Sequence, residues 1–427
     1  MKTTIVSAIF VVIAVLAGQV QAQIYDTNND TVQTFAGYGI PGYVDGQGQL
    51  TAFSAPSQIV SDTASNLYVW DSGNARIRKI TSSGTVSTFA GGGMSFEGYG
   101  TNVALGWGTV GAMAIDHGNT LWLVVSGGYY YYGGGFYLIS VDTNGLVTIA
   151  NGGLTNLTTS SGICFDSADN LYYSGGNRIY RYTPSSEALQ VFAGSGISGY
   201  YDGQGPLFSA FYNPTALTCD QANNIYVWDS GNSLIRRIDG SQNVTTFAGN
   251  TSALADGVGT NASFYGIDSM FSDNQGNIYL VAPNWVRKID ARTNVVTLAG
   301  YFSQNQFPYQ QPSTYVNGPG SQARFDNASG GCFSEGMIFV ADTGNNRIRS
   351  ISFNQQSLVV PPAGLQLNTY AGLQITGTIG RTYQIQSSPD MNTWNNAGLT
   401  LLTSSPYLWI DQNPVRGSKY YRAVLLP

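Results

Sequence analysis

The sequence predicts an all-β protein, and three observations support that fold class. Of the 24 acidic residues, only Glu97, Glu187 and Glu335 are glutamate, which favours helices, and the rest are aspartate, which favours turns. The chain holds 28 tyrosines and 53 glycines, residues typical of strands and of tight turns respectively. Beyond roughly the first twenty residues, no long stretch places apolar residues at helical spacing.

A short sequence pattern recurs along the chain at intervals of 43 to 60 residues. Its core is the tripeptide Phe-Ala-Gly, with copies that begin at Phe35, Phe89, Phe192 and Phe247 and degenerate copies at Ile149 and Leu298. Four short strands and their turns occupy about 40–50 residues. Each interval therefore predicts one blade of a β-propeller.

The best-preserved copies carry an apolar strand, an Asp-x-Gly-Asn turn and an arginine-bearing strand, in that order. We expect glycine and asparagine to adopt the positive φ angles of the turn, and the aspartate to accept turn N–H groups. We expect the arginine stems to pack on apolar surface with their charged heads in water. The predicted turn residues are Asp71, Gly73 and Asn74, then Asp229, Gly231 and Asn232, and finally Asp342, Gly344 and Asn345.

This order of signals closely resembles the NHL repeat, and the resemblance covers roughly residues 31–353. It implies a six-bladed β-propeller of the secreted, bacterial type. The last copy lacks a final strand, whereas residues 30–35 stand alone at the N-terminus with the pattern of one. We predict that this N-terminal strand pairs as the outer strand of the sixth blade and closes the ring, since pairing covers an open sheet edge.

Changes in composition predict four segments. Residues 1–22 combine Lys2, an apolar run and small residues before Gln23, which is typical of an export signal; a retained membrane anchor is the alternative. Residues 23–353 form the propeller, 354–362 a linker and 363–427 a small β-sandwich-like module of about seven short segments. No later segment is long and apolar enough to cross a membrane.

The three cysteines, Cys164, Cys219 and Cys332, fall in predicted inner strands of different blades. An odd number argues against a disulfide framework. We therefore interpret all three as small buried apolar residues.

Candidate binding residues lie in two kinds of loop. Aspartate or asparagine recurs at one place in four blades, at Asp45, Asp202, Asp256 and Asn317, and convergence of these side chains on one face would suit Ca²⁺; the alternative is a plain turn role. A glycine-rich loop carries Tyr129, Tyr130, Tyr131 and Tyr132, whose rings are suited to stacking on sugars. Trp70, Trp228 and Trp285 offer the same chemistry, but Trp70 and Trp228 occupy a repeating strand position, which favours packing between blades.

Catalytic chemistry has little support in the sequence. His117 is the only histidine, so a zinc site with two or three histidines cannot be built, and its place in a predicted turn disfavours a Ser-His-Asp triad. No catalytic residue, resident metal or other cofactor is predicted, and Ca²⁺ is left open. The net charge of −6 disfavours nucleic acid as a partner.

The leading functional hypothesis is an exported, monomeric, non-enzymatic binding or scaffold protein that presents propeller loops to an extracellular protein, peptide or glycan. One alternative is a metal-dependent hydrolase or lactonase with its metal in the central channel, for which Glu335 is the nominated glutamate. The other is a cell-surface spacer whose C-terminal module serves in sorting or attachment.

Overall fold

The structure is a computed structural model that describes residues 30–95, 98–105, 110–126, 136–150, 154, 157, 162–250, 254–301, 315–353, 372–375, 378–389, 392–403, 407–410 and 420–426. The predicted export signal, the linker and Tyr129–Tyr132 lie outside the described residues. The described residues belong to two compact units, one within Gln21–Gln355 and one within Gln356–Pro427. Each unit is described by itself.

The first unit consists of short antiparallel strands. The first strand of the described residues is β1 (Thr31–Ala36). Blade 1 contains β2 (Gly46–Gln47), β3 (Pro56–Ser61), β4 (Leu67–Asp71), β5 (Arg76–Ile80) and β6 (Thr85–Gly91). Blade 2 contains β7 (Gly98–Tyr99), β8 (Val110–Ile115), β9 (Leu121–Ser126), β10 (Phe136–Val141) and β11 (Leu146–Ala150). Blade 3 contains β12 (Ile163–Phe165), β13 (Leu171–Gly175), β14 (Arg178–Thr183) and β15 (Ala188–Ala193).

The second half of this unit continues the pattern. Blade 4 contains β16 (Gly203–Gln204), β17 (Pro214–Cys219), β18 (Ile225–Asp229), β19 (Leu234–Ile238) and β20 (Asn243–Ala248), with a single helical turn, α1 (Gly205–Phe208). Blade 5 contains β21 (Gly257–Val258), β22 (Ser269–Ser272), β23 (Ile278–Ala282), β24 (Trp285–Ile289) and β25 (Asn294–Gly300). Blade 6 contains β26 (Gly318–Pro319), β27 (Ala328–Ser334), β28 (Met337–Asp342) and β29 (Arg347–Ser352). Short 3₁₀ turns occupy Gly48–Leu50, Ser72–Asn74, Gly100–Asn102, Gly259–Asn261 and Thr343–Asn345.

The sheets are arranged as a β-propeller. Within the described residues there are six sheets of four or five strands. From the inner strand outward the strands follow sequence order, with β1 as the fourth strand of blade 6, and the short strands β2, β7, β16, β21 and β26 lie at the outer edges. The inner strands β3, β8, β12, β17, β22 and β27 contact one another in that cyclic order, and β27 returns to β3. The all-β propeller predicted from the repeat is therefore confirmed.

The N-terminal strand closes the ring, as predicted. β1 pairs antiparallel with β29, and the register places Val32 opposite Ile351. It also pairs with the short strand β26, so both of its edges are covered. Blade 6 is thus assembled from the two ends of the repeat region.

The core lies between neighbouring blades, where the tryptophans pack as expected. Trp70 is buried in one cluster with Leu105 and Met113, which precede and belong to the inner strand of blade 2. Trp228 likewise meets Phe264 in the segment that enters blade 5, with ring centroids 6.3 Å apart. A sugar-binding role for these buried rings is therefore excluded by their burial.

One prediction about the cysteines is wrong. Cys164 of β12 and Cys219 of β17 form a disulfide, with Cα atoms 6.0 Å apart. The two inner strands are neighbours in the ring, so cysteines about one repeat apart in sequence meet near the axis. Cys332 of β27 is free and buried, in agreement with the prediction.

The C-terminal unit is also made of strands. Its five described strands are β30 (Gly372–Ile375), β31 (Thr382–Ser388), β32 (Asn395–Leu401), β33 (Tyr407–Ile410) and β34 (Tyr420–Leu425). β30 pairs with β33, while β31 lies between β32 and β34. Ile375, Tyr383, Ile385 and Leu402 form a buried cluster that joins the two sheets. The domain boundaries themselves stay a prediction.

Candidate functional site

The first feature to be separated from any binding site is a set of buried arginines. Four blades each carry a fully buried arginine in the third strand counted from the centre of the ring: Arg78 in β5, Arg236 in β19, Arg287 in β24 and Arg349 in β29. The expectation that their heads would reach water is wrong for these four. A guanidinium without water requires carboxylates or carbonyls around it, and the repeat supplies both.

Blade 1 shows the complete arrangement. Arg78 Nη1 donates to Asp71 Oδ2 at 2.9 Å, and Nη2 donates to Asp45 Oδ1 at 2.6 Å. Asp71 also accepts hydrogen bonds from the Ser54 N–H at 2.7 Å and from Asn74 Nδ2 at 2.7 Å. Burial raises the pKa of Asp71, and these donors partly offset that effect. Blade 4 repeats the arrangement with Arg236, Asp229 and Asp202.

Blades 5 and 6 each retain half of it. In blade 5, Ala282 replaces the strand carboxylate, and Arg287 pairs with Asp256 at 2.7 Å. In blade 6, Asn317 replaces the loop carboxylate, so Arg349 pairs with Asp342 at 2.6 Å and donates to Asn317 Oδ1 at 2.9 Å. Every one of the four buried arginines therefore keeps at least one carboxylate.

The two remaining blades lack arginine and aspartate together. The position of Arg78 is occupied by Ile139 in blade 2 and Tyr180 in blade 3. The position of Asp71 is occupied by Val125 and Gly175 in the same two blades. Arginine and aspartate are lost together because either one alone would be an unpaired charge in the interior, which is strongly destabilising.

These contacts change the interpretation of the four predicted loop ligands. Asp45, Asp202, Asp256 and Asn317 each bind the arginine of their own blade, and the side chain of Asp256 is fully buried. Within the described residues, no three histidine, cysteine or acidic side chains come together as a metal site. The observed geometry gives these residues a structural role, and Ca²⁺ binding by them stays a prediction without support from their contacts.

The glycine of the turn is required for a reason other than the predicted one. The positive φ angle falls one residue after the asparagine, at Ala75, Ser233 and Asn346, with values of 51°, 56° and 53°. A Cβ on Gly73 would instead collide with Ser54, and one on Gly231 with Tyr212. Close approach of the connecting segment therefore selects glycine at this position.

Exposed apolar side chains are confined to one type of segment. The fourth strand of each blade, counted from the centre, is linked to the inner strand of the next blade by a long connecting segment. In five blades a short strand of this segment pairs with the outer edge of the blade it enters, beside the β5–β6-type turn, where the Gly48 N–H donates to Gly84 O at 2.9 Å in blade 1. The segment starts and ends at the same end of the ring as the β4–β5 and β18–β19 turns, because the strands are antiparallel. We call this end the loop face. Within the described propeller, every exposed large hydrophobic residue lies in a connecting segment: Tyr38, Ile40, Tyr43, Val44, Leu50, Met94, Tyr99, Ile197, Tyr200, Tyr201, Leu207, Phe208, Tyr212, Val258, Tyr265, Tyr301 and Tyr315.

An acidic side chain lies at the entry to the inner strand of blade 5, on the loop face. Asp268 directly precedes β22, and its N–H donates to Val281 O at 2.9 Å. Its carboxylate has no hydrogen-bond or ion-pair partner among the described residues. Solvent reaches the side chain, yet the protein atoms around it desolvate the carboxylate and raise its pKa to about 6. Asp268 is not among the predicted site residues, because nothing in the repeat marks it.

The two residues weighed for catalysis occupy exposed turns. His117 Nδ1 lies 2.7 Å from Asp169 Oδ1, in a solvent-exposed pair between the turns of blades 2 and 3. Glu335 is exposed at φ 51° in the turn that joins β27 to β28. The turn forms there because Glu335 and Gly336 both take positive φ. Neither position is enclosed.

Comparisons with known proteins support the fold. No family model matches the chain. It is similar to Protein SUPPRESSOR OF QUENCHING 1, chloroplastic, of Arabidopsis thaliana, at 27% identity over 216 residues, 45% of this chain and 19% of that protein. The chain thus matches only about a fifth of the length of this curated relative.

Two solved structures from Bacteroides thetaiotaomicron have the same fold. One is a protein of unknown function, with a TM-score of 0.55 and 17% identity over 76% of each chain. The other is an auxiliary nutrient binding protein, with a TM-score of 0.55 and 17% identity over 76% of this chain and 77% of that one. At this identity the likeness establishes the fold alone. Among the described residues, no helix has the length and apolar character needed to span a membrane.

Proposed function

We propose that this chain is an exported, non-enzymatic binding protein that uses the connecting segments of its propeller to hold an extracellular protein, peptide or glycan. The single observation that carries the proposal is the confinement of the exposed apolar side chains to those segments. Soluble proteins seldom expose clustered apolar groups without a partner for them. The turns at the opposite end of the ring, closed by Asp62 and Asp220, expose none of these residues.

The remaining parts of the proposal follow from the sequence. The repeats are of the NHL type, the first 22 residues direct export, and the mature chain acts as a monomer. The disulfide between Cys164 and Cys219 supports an oxidising compartment, where such bonds persist. The C-terminal unit serves as an accessory module, for which sorting or surface attachment is the alternative role.

A two-face scan tests this function. The mature protein is screened against extracellular proteins and glycans, and each ligand found is measured again with large substitutions on both ends of the ring. We expect Ile197→Arg and Tyr265→Arg to weaken binding by about tenfold or more, because they obstruct exposed apolar surface. Ala64→Arg and Ala222→Arg, in the exposed β3–β4 and β17–β18 turns at the opposite end, are the matched controls and should have no effect.

A hydrolase or lactonase is the second candidate, and Asp268 is the observation that favours it. A desolvated carboxylate with a pKa near 6 and no partner is suited to act as a general base. Turnover of lactone or ester substrates, with Ca²⁺, Mn²⁺ or Zn²⁺ added, that disappears in Asp268→Asn would establish this activity and displace the binding proposal. Absence of turnover under these conditions would eliminate it.

A further inference from the structure

A tyrosine at one repeated position of the connecting segment is covered by arginine in two blades. In blade 1, the guanidinium carbon of Arg76 lies 4.3 Å from the ring centroid of Tyr43, and that of Arg78 lies 4.9 Å away. In blade 6, Arg347 and Arg349 lie 3.9 Å and 4.7 Å from the ring of Tyr315. Both rings thus carry a surface arginine in addition to the buried one.

Blade 4 has the tyrosine without the surface arginine. Tyr200 occupies the position of Tyr43, two residues before the aspartate that binds the buried arginine. The first residue of the third strand, which is Arg76 in blade 1 and Arg347 in blade 6, is Leu234 here. No arginine or lysine of the described residues lies over Tyr200, and even Arg236 contacts only Phe211 among the rings.

The uncovered ring has a different environment. Tyr200 stacks on Tyr201, with centroids 5.9 Å apart and planes 11° from parallel, where blade 1 has Val44 at the second position. Their exposed fractions are 67% and 69%, against 45% for Tyr43 and 36% for Tyr315. Tyr212, beside the β18–β19 turn, adds a third exposed ring where blade 1 has Ser54. Blade 4 therefore presents an aromatic surface that its near-identical counterpart does not.

We propose that Tyr200 and Tyr201 form a binding site for an arginine side chain of a peptide or protein partner, which takes the place that Arg76 and Arg347 occupy in their own blades. This inference rests on the proposed function and names the chemistry of its ligand. A guanidinium stacks favourably on tyrosine rings, and the molecule itself shows that geometry twice at the equivalent position.

The surrounding charge favours the same occupant. Asp202, the next residue after the stacked pair, keeps 48% of its side chain exposed although it binds Arg236. The chain as a whole carries a net charge of −6, with only 18 lysines and arginines. A cationic ligand is therefore attracted over distance as well as stacked in contact.

The test uses peptides of alternating arginine and glycine, with citrulline peptides of equal length as neutral controls, titrated against the mature protein by calorimetry. We expect the arginine peptide to bind more tightly than the citrulline peptide, and Tyr200→Ala and Tyr201→Ala to weaken it by about three- to thirtyfold. Ala222→Arg, in an exposed turn at the opposite end of the ring, adds a positive charge away from these rings and should leave binding unchanged.

Leu234→Arg is the decisive variant, because it restores the missing arginine without removing any ring. We expect it to reduce peptide affinity as strongly as Tyr200→Ala, since its own guanidinium will cover Tyr200. Tyr200→Phe keeps the ring and should retain binding, which separates loss of stacking from loss of folding. Equal binding of arginine and citrulline peptides, or full binding by Leu234→Arg, would overturn the proposal.

Failure of the arginine site and failure of the proposed binding function give different results in these experiments. If a neutral glycan binds through Tyr200 and Tyr201 and the arginine peptide does not compete, the arginine site is wrong and the binding function stands. If substitutions across the loop face affect no ligand, the binding function itself fails.

Discussion

Removing Asp342 should destabilise the protein far more than removing Asp71, although the two aspartates occupy the same repeat position. Asp342→Asn keeps the shape of the side chain but leaves Arg349 without any carboxylate, since its other partners are Asn317 Oδ1 and the carbonyls of Arg324 and Val316. Asp71→Asn leaves Arg78 with the Asp45 carboxylate at 2.6 Å.

The expected magnitudes follow from the pairing. Breaking a buried ion pair so that one charge is left uncompensated costs about 3–5 kcal/mol, which applies to Asp342. Losing one charge-assisted hydrogen bond while another carboxylate remains costs about 1.5–3 kcal/mol, which applies to Asp71. The free energy of unfolding should therefore fall by roughly 2 kcal/mol more in Asp342→Asn than in Asp71→Asn.

Urea unfolding at pH 7, followed by tyrosine and tryptophan fluorescence, measures both losses. Asn317→Asp provides the rescue: it gives blade 6 the second carboxylate of blade 1 and should recover part of the loss in the Asp342→Asn background. A double-mutant cycle between positions 317 and 342 isolates this coupling. Equal destabilisation by the two asparagine variants, or no recovery with Asn317→Asp, would refute the account of the buried arginines.

Three further predictions concern other features. Replacing Cys164 and Cys219 by serine should lower the free energy of unfolding by roughly 2–4 kcal/mol. Reduction of the native chain should cause a similar loss, and reduction of the Cys332→Ala control should cause no greater one, because Cys332 is not part of the disulfide. Unfolding with and without dithiothreitol measures these losses. Asp268→Asn should raise the Tm at pH 8 but not at pH 3.5, because the folded-state pKa near 6 exceeds the ordinary value and ionisation opposes folding increasingly as pH rises through about 4 to 6; an unchanged Tm at pH 8 contradicts this. Deleting the chain up to Ala36 should leave β29 unpaired and yield aggregated protein on size-exclusion chromatography, and a monomeric, cooperatively folded deletion would show that β1 is dispensable.

The propeller was predictable because its signals are local and repeated. Phe35 and its counterparts mark the outer strands, and the pattern around Val32 identified the partner of β29 without any knowledge of distance in space. Each copy of the pattern is weak evidence for one blade, but six copies at similar spacing are strong evidence for a propeller.

The errors arose where one repeat must be compared with another or with its neighbour in the ring. The sequence predicts that the head of Arg78 reaches water, yet the joint absence of arginine and aspartate in blades 2 and 3 is also visible in the sequence and indicates a buried pair. The spacing of Cys164 and Cys219, close to one repeat, was likewise visible and places them on adjacent inner strands. Asp268 had no such signal, because its pKa depends on packing that no local pattern encodes.

The pairing of Val32 with Ile351 also constrains how the molecule comes into being. A chain made from its N-terminus onward carries its first strand without a partner until Ser352 has emerged. Such a distant contact is slow to form, because the entropy of closing a very long loop is lost before the contact contributes any stabilising free energy. Between the synthesis of β29 and its pairing with β1, the protein exposes two complementary strand edges, and two chains at this stage are each able to pair with the other.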